Sequence, residues 1–234
     1  MKKYQKSLFV GILSLFFASC GKQEPKNEKL GKTFYTLCML ELSDRDGAPI
    51  AYKKALEYID QALVCEKKPS YLALRGTILI NLGLFDQSLK ALQDALAGNP
   101  EAALRGDIMN NIACLCAQRG DVERAIEIWN TLIADAYYLT PEVALVNMGK
   151  VCAQQGDLLR AKESFMRAIT LAPSYVDAHY YLSLVAFKLS DESLVKNELQ
   201  TLLFMEPKHK GAIQLQSLLI STNSSLRSFD SVSA

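Results

Sequence analysis

Two prolines, Pro173 and Pro207, stand 34 residues apart, and the stretches that lead up to them match in kind. PEVALVNMGKVCAQQGDLLRAKESFMRAITLAPS aligns without gaps with SYVDAHYYLSLVAFKLSDESLVKNELQTLLFMEPK. Gly149, Cys152, Ala161, Phe165, Ala168 and Pro173 mark the first; Leu182, Ala186, Val195, Leu199, Leu202 and Pro207 take the same slots or their neighbours in the second. Upstream, Gly76, Gly83, Phe85, Leu92, Ala95 and Pro100 form another unit, and Ala113, Gly120, Ala125 and Trp129 one between. Ala55, Ile59 and Ala62 anchor a degenerate unit before them all. A unit this short cannot bury its own apolar faces, so it must stack on its neighbours. That single requirement excludes most architectures.

Each unit reads as two antiparallel helices, A and B. Gly76, Ala113 and Gly149 fall where A meets B, and a small residue there lets the backbones approach. Gly83, Gly120 and Gly156 close helix A, where a left-handed C-cap suits glycine. Asp121 and Asp157 follow and can cap helix B. Proline ends each unit because it cannot continue a helix. Only 12 glycines and 7 prolines in 234 residues, 50% of them hydrophobic, agree with an all-helical chain. The pattern resembles the tetratricopeptide repeat, which implies an all-α, right-handed solenoid of stacked antiparallel helix pairs. The reading places the array at 30–221, about five repeats and a capping helix near Lys208–Ser221, followed by a polar, disordered tail at 222–234. About three extra residues precede the third repeat, and its helix B is expected to run on through ADAYYL.

Residues 1–20 read MKKYQKSLFVGILSLFFASC. Lys2, Lys3 and Lys6 precede an apolar stretch from Leu8 to Phe17, about ten residues where a bilayer needs ~20. Ala18, Ser19 and Cys20 then resemble a bacterial lipobox, with Phe17 where leucine is usual. The resemblance implies a signal peptide over 1–19, cleavage before Cys20 and its lipidation; Gly21 rather than aspartate then implies the periplasmic face of the outer membrane. Residues 20–29 read as a lipidated tether.

Residues 110–187 resemble the PilW/PilF family of type IV pilus biogenesis lipoproteins. Asn110 and Asn111, Thr140–Pro141–Glu142 with Ala144, then Asn147, Gly149, Gly156–Asp157 and Ala161 carry the likeness. It implies a pilotin-like factor that helps a pilus secretin reach the outer membrane and oligomerise, with a secretin subunit as partner. It also implies a cross-repeat disulfide near Cys116 and Cys152. Against that bond, neighbouring helix axes lie 8–10 Å apart while a disulfide wants Cα atoms within ~7 Å. Buried free thiols are the alternative.

No catalytic constellation, cofactor motif or metal spacing is present: His179 reads as a packing residue, His209 as solvated, and no nucleotide-binding glycine loop occurs. A net charge of +1 gives no basic stripe for nucleic acid. Neither an enzyme nor a small-molecule substrate is expected. The expected site is the concave groove of the A helices. The second, fifth, sixth, ninth, twelfth and thirteenth positions of helix A face inward, and counting from Gly106, Glu142 and Val176 places Asn110, Asn111 and Cys114, then Val146, Asn147 and Lys150, then Tyr180, Tyr181, Leu184 and Phe187 there. Asparagines could hold a peptide backbone and the aromatics could anchor it, although Tyr180 or Tyr181 could instead pack on the next repeat. The competing reading is a general cell-envelope scaffold not linked to pili. A cytoplasmic secretion chaperone would have similar repeats, but the lipobox argues against it.

Overall fold

The computed structural model describes residues 25–43 and 50–230. The stretch read as a signal peptide over 1–19, and Cys20, lie outside them. All the elements among these residues are helices, and they fall into two compact units divided at Pro100.

The first unit holds α1 (Pro25–Leu42), α2 (Tyr52–Cys65), α3 (Pro69–Asn81) and α4 (Phe85–Ala97). Helix α1 begins inside the stretch read as a tether. A Glu28–Lys32 pair at 2.9 Å supports its first turns, and Gly31 brings it against α2, where an added Cβ would lie 3.2 Å from Cys65 Cβ. Cys38, Ala55, Ile59, Ala62, Tyr71 and Ile78 form the core, with Tyr35 stacked on Tyr71 at 5.0 Å. In the next pair Gly76 faces Leu92 so closely that a Cβ would meet its side chain at 2.6 Å. The buried Ser88 hydroxyl donates to the Gly76 carbonyl at 2.8 Å, tying the same two helices together.

The second unit holds α5 (Ala102–Gln118), α6 (Val122–Ala134), α7 (Pro141–Gln154), α8 (Leu158–Leu171), α9 (Val176–Lys188), α10 (Glu192–Met205) and α11 (Lys210–Asp230). Trp129, Tyr138, Leu145, Phe165, Leu182 and Val185 centre one buried cluster. Ala186, Leu199, Leu202, Ala212, Leu215 and Leu219 centre a second, under α11. Pro141 opens α7 at its first turn, where no N–H is needed.

The turns from A to B share one closure. Asp121 N donates to Cys116 O at 2.9 Å, and Asp157 N to Cys152 O and Asp191 N to Ala186 O at the same distance. Gly120 and Gly156 sit at φ +86° and +85°, the left-handed geometry this closure requires. In the last pair Ser190 takes that place at φ +58°. Asp157 and Asp191 cap the following helices, accepting from Arg160 N and Leu194 N. Asp121 makes no such bond; it is exposed, and the backbone closure alone ends that turn.

Two sequence expectations change in this unit. Helix α6 stops at Ala134, with Asp135 extended, instead of running on through ADAYYL. The chain leaves the helix to bury Tyr138, at 5% exposure, against Gly106, where an added Cβ would come within 2.4 Å of the ring. The insertion before the third repeat lengthens α5 to 17 residues, and Gly106 lies in that lengthened helix. The terminal helix overruns the expected boundary at 221 and continues to Asp230.

Candidate functional site

The groove-facing residues come from α5, α7 and α9, the A helices of the second unit. The asparagines form a bonded set. Asn110 Oδ1 accepts from Trp129 Nε1 at 2.9 Å and from Asn147 Nδ2 at 3.1 Å. One amide thus ties α5 both to its own B helix and to the next A helix. Asn110 and Asn147 are half-buried, and the bond between them joins neighbouring repeats. Val146 is 2% exposed and belongs to the core, because an A helix has neighbours on both flanks and only a narrow strip stays open.

The aromatic pair divides. Tyr180 turns to α11: its ring lies 4.7 Å from that of His209, and its hydroxyl would be 2.5 Å from a Cβ on Gly211. Phe187 packs on the α10–α11 cluster. Tyr180 thereby leaves the expected groove, while Phe187, like Leu184, stays half-buried at the edge of that cluster. Tyr181 stays, stacked on Phe165 at 5.8 Å with the rings 19° apart. Lys150 Nζ stands 4.8 Å from the Tyr181 ring centre, within cation–π range.

Around this pair lies an open cavity of about 290 Å³, with Phe165, Tyr181 and Leu184 as apolar walls and Lys150, Gln154 and Lys188 at its polar margin. Neither lysine has a carboxylate within 4.0 Å among the described residues. The site is therefore apolar inside and cationic at its edge. Lys150, Tyr181 and Leu184 were legible in the sequence. Lys188 and Gln154 were missed, although both hold the thirteenth position of their helices under the same counting. Phe165 carries no such signal, since it reaches the cavity from a B helix.

Cys114 is half-buried beside Lys150. Burial pushes its thiol up to about 11, the Lys150 charge pulling weakly the other way, so it is a poor nucleophile. Cys116 and Cys152, read as a candidate disulfide, are both free thiols, and burial raises both. Asn111 is half-buried on α5.

The histidines serve the fold. His179, at 5% exposure, spans Pro173 O at 2.9 Å and Glu198 Oε2 at 2.6 Å, joining α9 to α10. His209 is half-buried rather than solvated, and its Nδ1 accepts from Ala212 N, capping α11. Among the described residues no three His, Cys, Asp or Glu side chains could hold a metal ion together. No described helix is long and apolar enough to cross a membrane.

Family models of the tetratricopeptide repeat match residues 74–141 and 143–175. No curated protein matches the chain significantly in sequence. Among solved structures, PilW, described as a widely conserved type IV pilus biogenesis factor, is 18% identical with a TM-score of 0.62, covering 82% of this chain and 92% of its own. PilF of Pseudomonas aeruginosa is 14% identical with a TM-score of 0.66, covering 88% and 90%. YrrB, described as a repeat protein with an unusual peptide-binding site, is 15% identical with a TM-score of 0.52, covering 84% and 100%. At such identities the likeness speaks for the fold alone: the described residues form helices paired as tetratricopeptide repeats.

Proposed function

We propose that this protein is a lipid-anchored scaffold that binds a segment of another protein in the A-helix groove of its second unit. The observation that carries the reading is the cavity beside Tyr181, apolar within and edged by Lys150 and Lys188, neither of which has an acidic partner among the described residues. A side chain of about leucine or phenylalanine size fills such a space, and an acidic neighbour meets the lysines. The lipobox at Cys20 supports attachment at the periplasmic face of the outer membrane. The resemblance over residues 110–187 and the fold shared with PilW and PilF support a pilotin-like role, with a secretin subunit as the bound protein. The likeness to YrrB favours a second reading, a general envelope adaptor that holds peptide segments unrelated to pili.

The test is capture of partners by the intact lipoprotein from solubilised envelopes. Under the first reading a secretin subunit is recovered, and Lys150→Glu with Lys188→Glu lowers recovery at least tenfold while the far-UV circular dichroism is unchanged. Recovery of other proteins but no secretin favours the adaptor. Undiminished capture by the double variant refutes the groove. A palmitate analogue should label the wild type and not Cys20→Ala; equal labelling of both refutes the anchor.

A further inference from the structure

The 34-residue register lets one repeat report on the next. Helices α10 and α11 start 34 residues after α8 and α9, so each position of the earlier pair has a counterpart at the C-terminal end. The groove between α8 and α9 is closed by a helix. Leu194 of α10 packs on the cluster that contains Phe165 and Val185. The N-cap of α10, Asp191, takes an ion pair from Lys162 of α8 at 3.0 Å. Shifted by 34, Lys162, Phe165 and Thr170 become Lys196, Leu199 and Phe204, and Val185 and Ala186 become Leu219 and Ile220.

Those counterparts line an open groove of about 610 Å³ between α10 and α11. No helix among the described residues lies in it. Where α9 ends at Lys188 and turns back, α11 continues straight to Asp230. Phe204 is 88% exposed and Ile220 63%. Ala186, buried under the next helix, becomes Ile220 at the open end, and Thr170, already exposed, becomes Phe204. Larger apolar side chains at the uncovered positions are the opposite of what a solvent-facing cap requires. The charge that greets a B helix is kept as well: Lys196 repeats Lys162. Its present partner is Glu192 at 2.7 Å, an exposed i,i+4 pair, the kind that contributes little and exchanges readily.

We propose that this groove docks an amphipathic helix from a partner protein, lying as α10 lies against α8 and α9. Its acidic N-terminus meets Lys196, and apolar residues at i, i+3 or i+4 and i+7 enter between Leu203 and Ile220. The surface is separate from the cavity beside Tyr181, and the inference does not depend on what that cavity binds.

The test uses a probe of known sequence: residues 190–205 of this chain, the segment that fills the equivalent groove, held helical by a lactam on its outward face and labelled with a fluorophore. Titrated into the full-length protein in detergent, it should bind saturably. Phe204→Asp and Ile220→Asp, both at exposed positions, should each weaken binding at least tenfold with unchanged circular dichroism. Lys196→Glu should weaken it about fivefold, and Asp191→Lys in the peptide should restore it, as expected of a paired charge. Absence of saturable binding up to about 1 mM peptide, or binding by both aspartate variants as tight as by the wild type, overturns the assignment. So does sedimentation showing a dimer of the protein alone that Phe204→Asp dissociates, since the occupant is then a second copy.

Discussion

At the scale of single residues, three contacts set how near the helices come. Gly76 against Leu92, Gly106 against Tyr138 and Gly149 against Phe165 leave no room for a Cβ, whose ideal position lies 2.4–2.7 Å from the facing side chain. The Gly106 contact is the most demanding, because Tyr138 is held from both sides by burial and by the turn that Asp135 starts. Gly106→Ala is expected to cost about 1–3 kcal/mol through overpacking, read as a lower urea midpoint with an unchanged slope. Ser190 is the converse case. It occupies the left-handed position that glycine fills at Gly120 and Gly156, and that geometry costs a residue with a Cβ roughly 1–2 kcal/mol. Ser190→Gly should therefore stabilise the protein by up to about 1 kcal/mol after the added entropy of the unfolded chain is offset. A lower melting temperature in that variant would refute the strain argument.

At the scale of elements, the two helix types read differently in sequence. The B helices α6 and α8 keep their apolar residues on one stripe: Ala125, Trp129 and Leu132, or Ala161, Phe165 and Ala168. Their register was legible because one face packs and the other meets water. The A helices α7 and α9 are buried on several sides at once; Ala144, Leu145, Val146 and Met148 are all in the core. Periodicity cannot isolate a narrow open strip on such a helix, which is why Val146 reads as groove-facing and Tyr180 stays open between the groove and the next repeat. Helix caps offer a test at this level. Asp157 accepts a bond from Arg160 N, whereas Asp121, at the same place in the preceding repeat, caps nothing with its side chain. Asp157→Ala should cost about 1 kcal/mol and Asp121→Ala only a few tenths, by chemical denaturation. Equal losses would mean that charge at the helix start, not the bond, is what counts.

For the whole molecule, the thiols make two measurable statements. Cys116 and Cys152 are free, so alkylation of unfolded, non-reduced protein followed by mass spectrometry should label both; a linked pair of peptides would contradict the structure. Burial pushes the Cys38 and Cys114 thiols from 9.0 to about 11. Between these values the unfolded chain releases protons that the folded chain keeps, so folding binds protons and stability falls as pH rises. Stability is expected to be unaffected by these groups below about pH 9, to decline toward pH 11 and to level beyond it, with Cys38→Ala or Cys114→Ala flattening the slope relative to wild type.

The 34-residue period determined by itself that this chain must stack helix pairs, because no pair could bury its own faces. The turn glycines and the aligned prolines located the ends of those helices for the same local reason: each occupies a backbone geometry that its neighbours in sequence impose. Tertiary packing decided the rest. Whether Tyr180 lines a groove or lies on Gly211, whether Tyr138 extends a helix or leaves it for Gly106, and whether Asn110 offers its amide to a ligand or to Trp129 and Asn147 each depends on a partner well beyond one helix away in sequence, 19 residues for Trp129 and 37 for Asn147. Side chains distant in sequence compete for one small space, and only the assembled backbone fixes which of them fits.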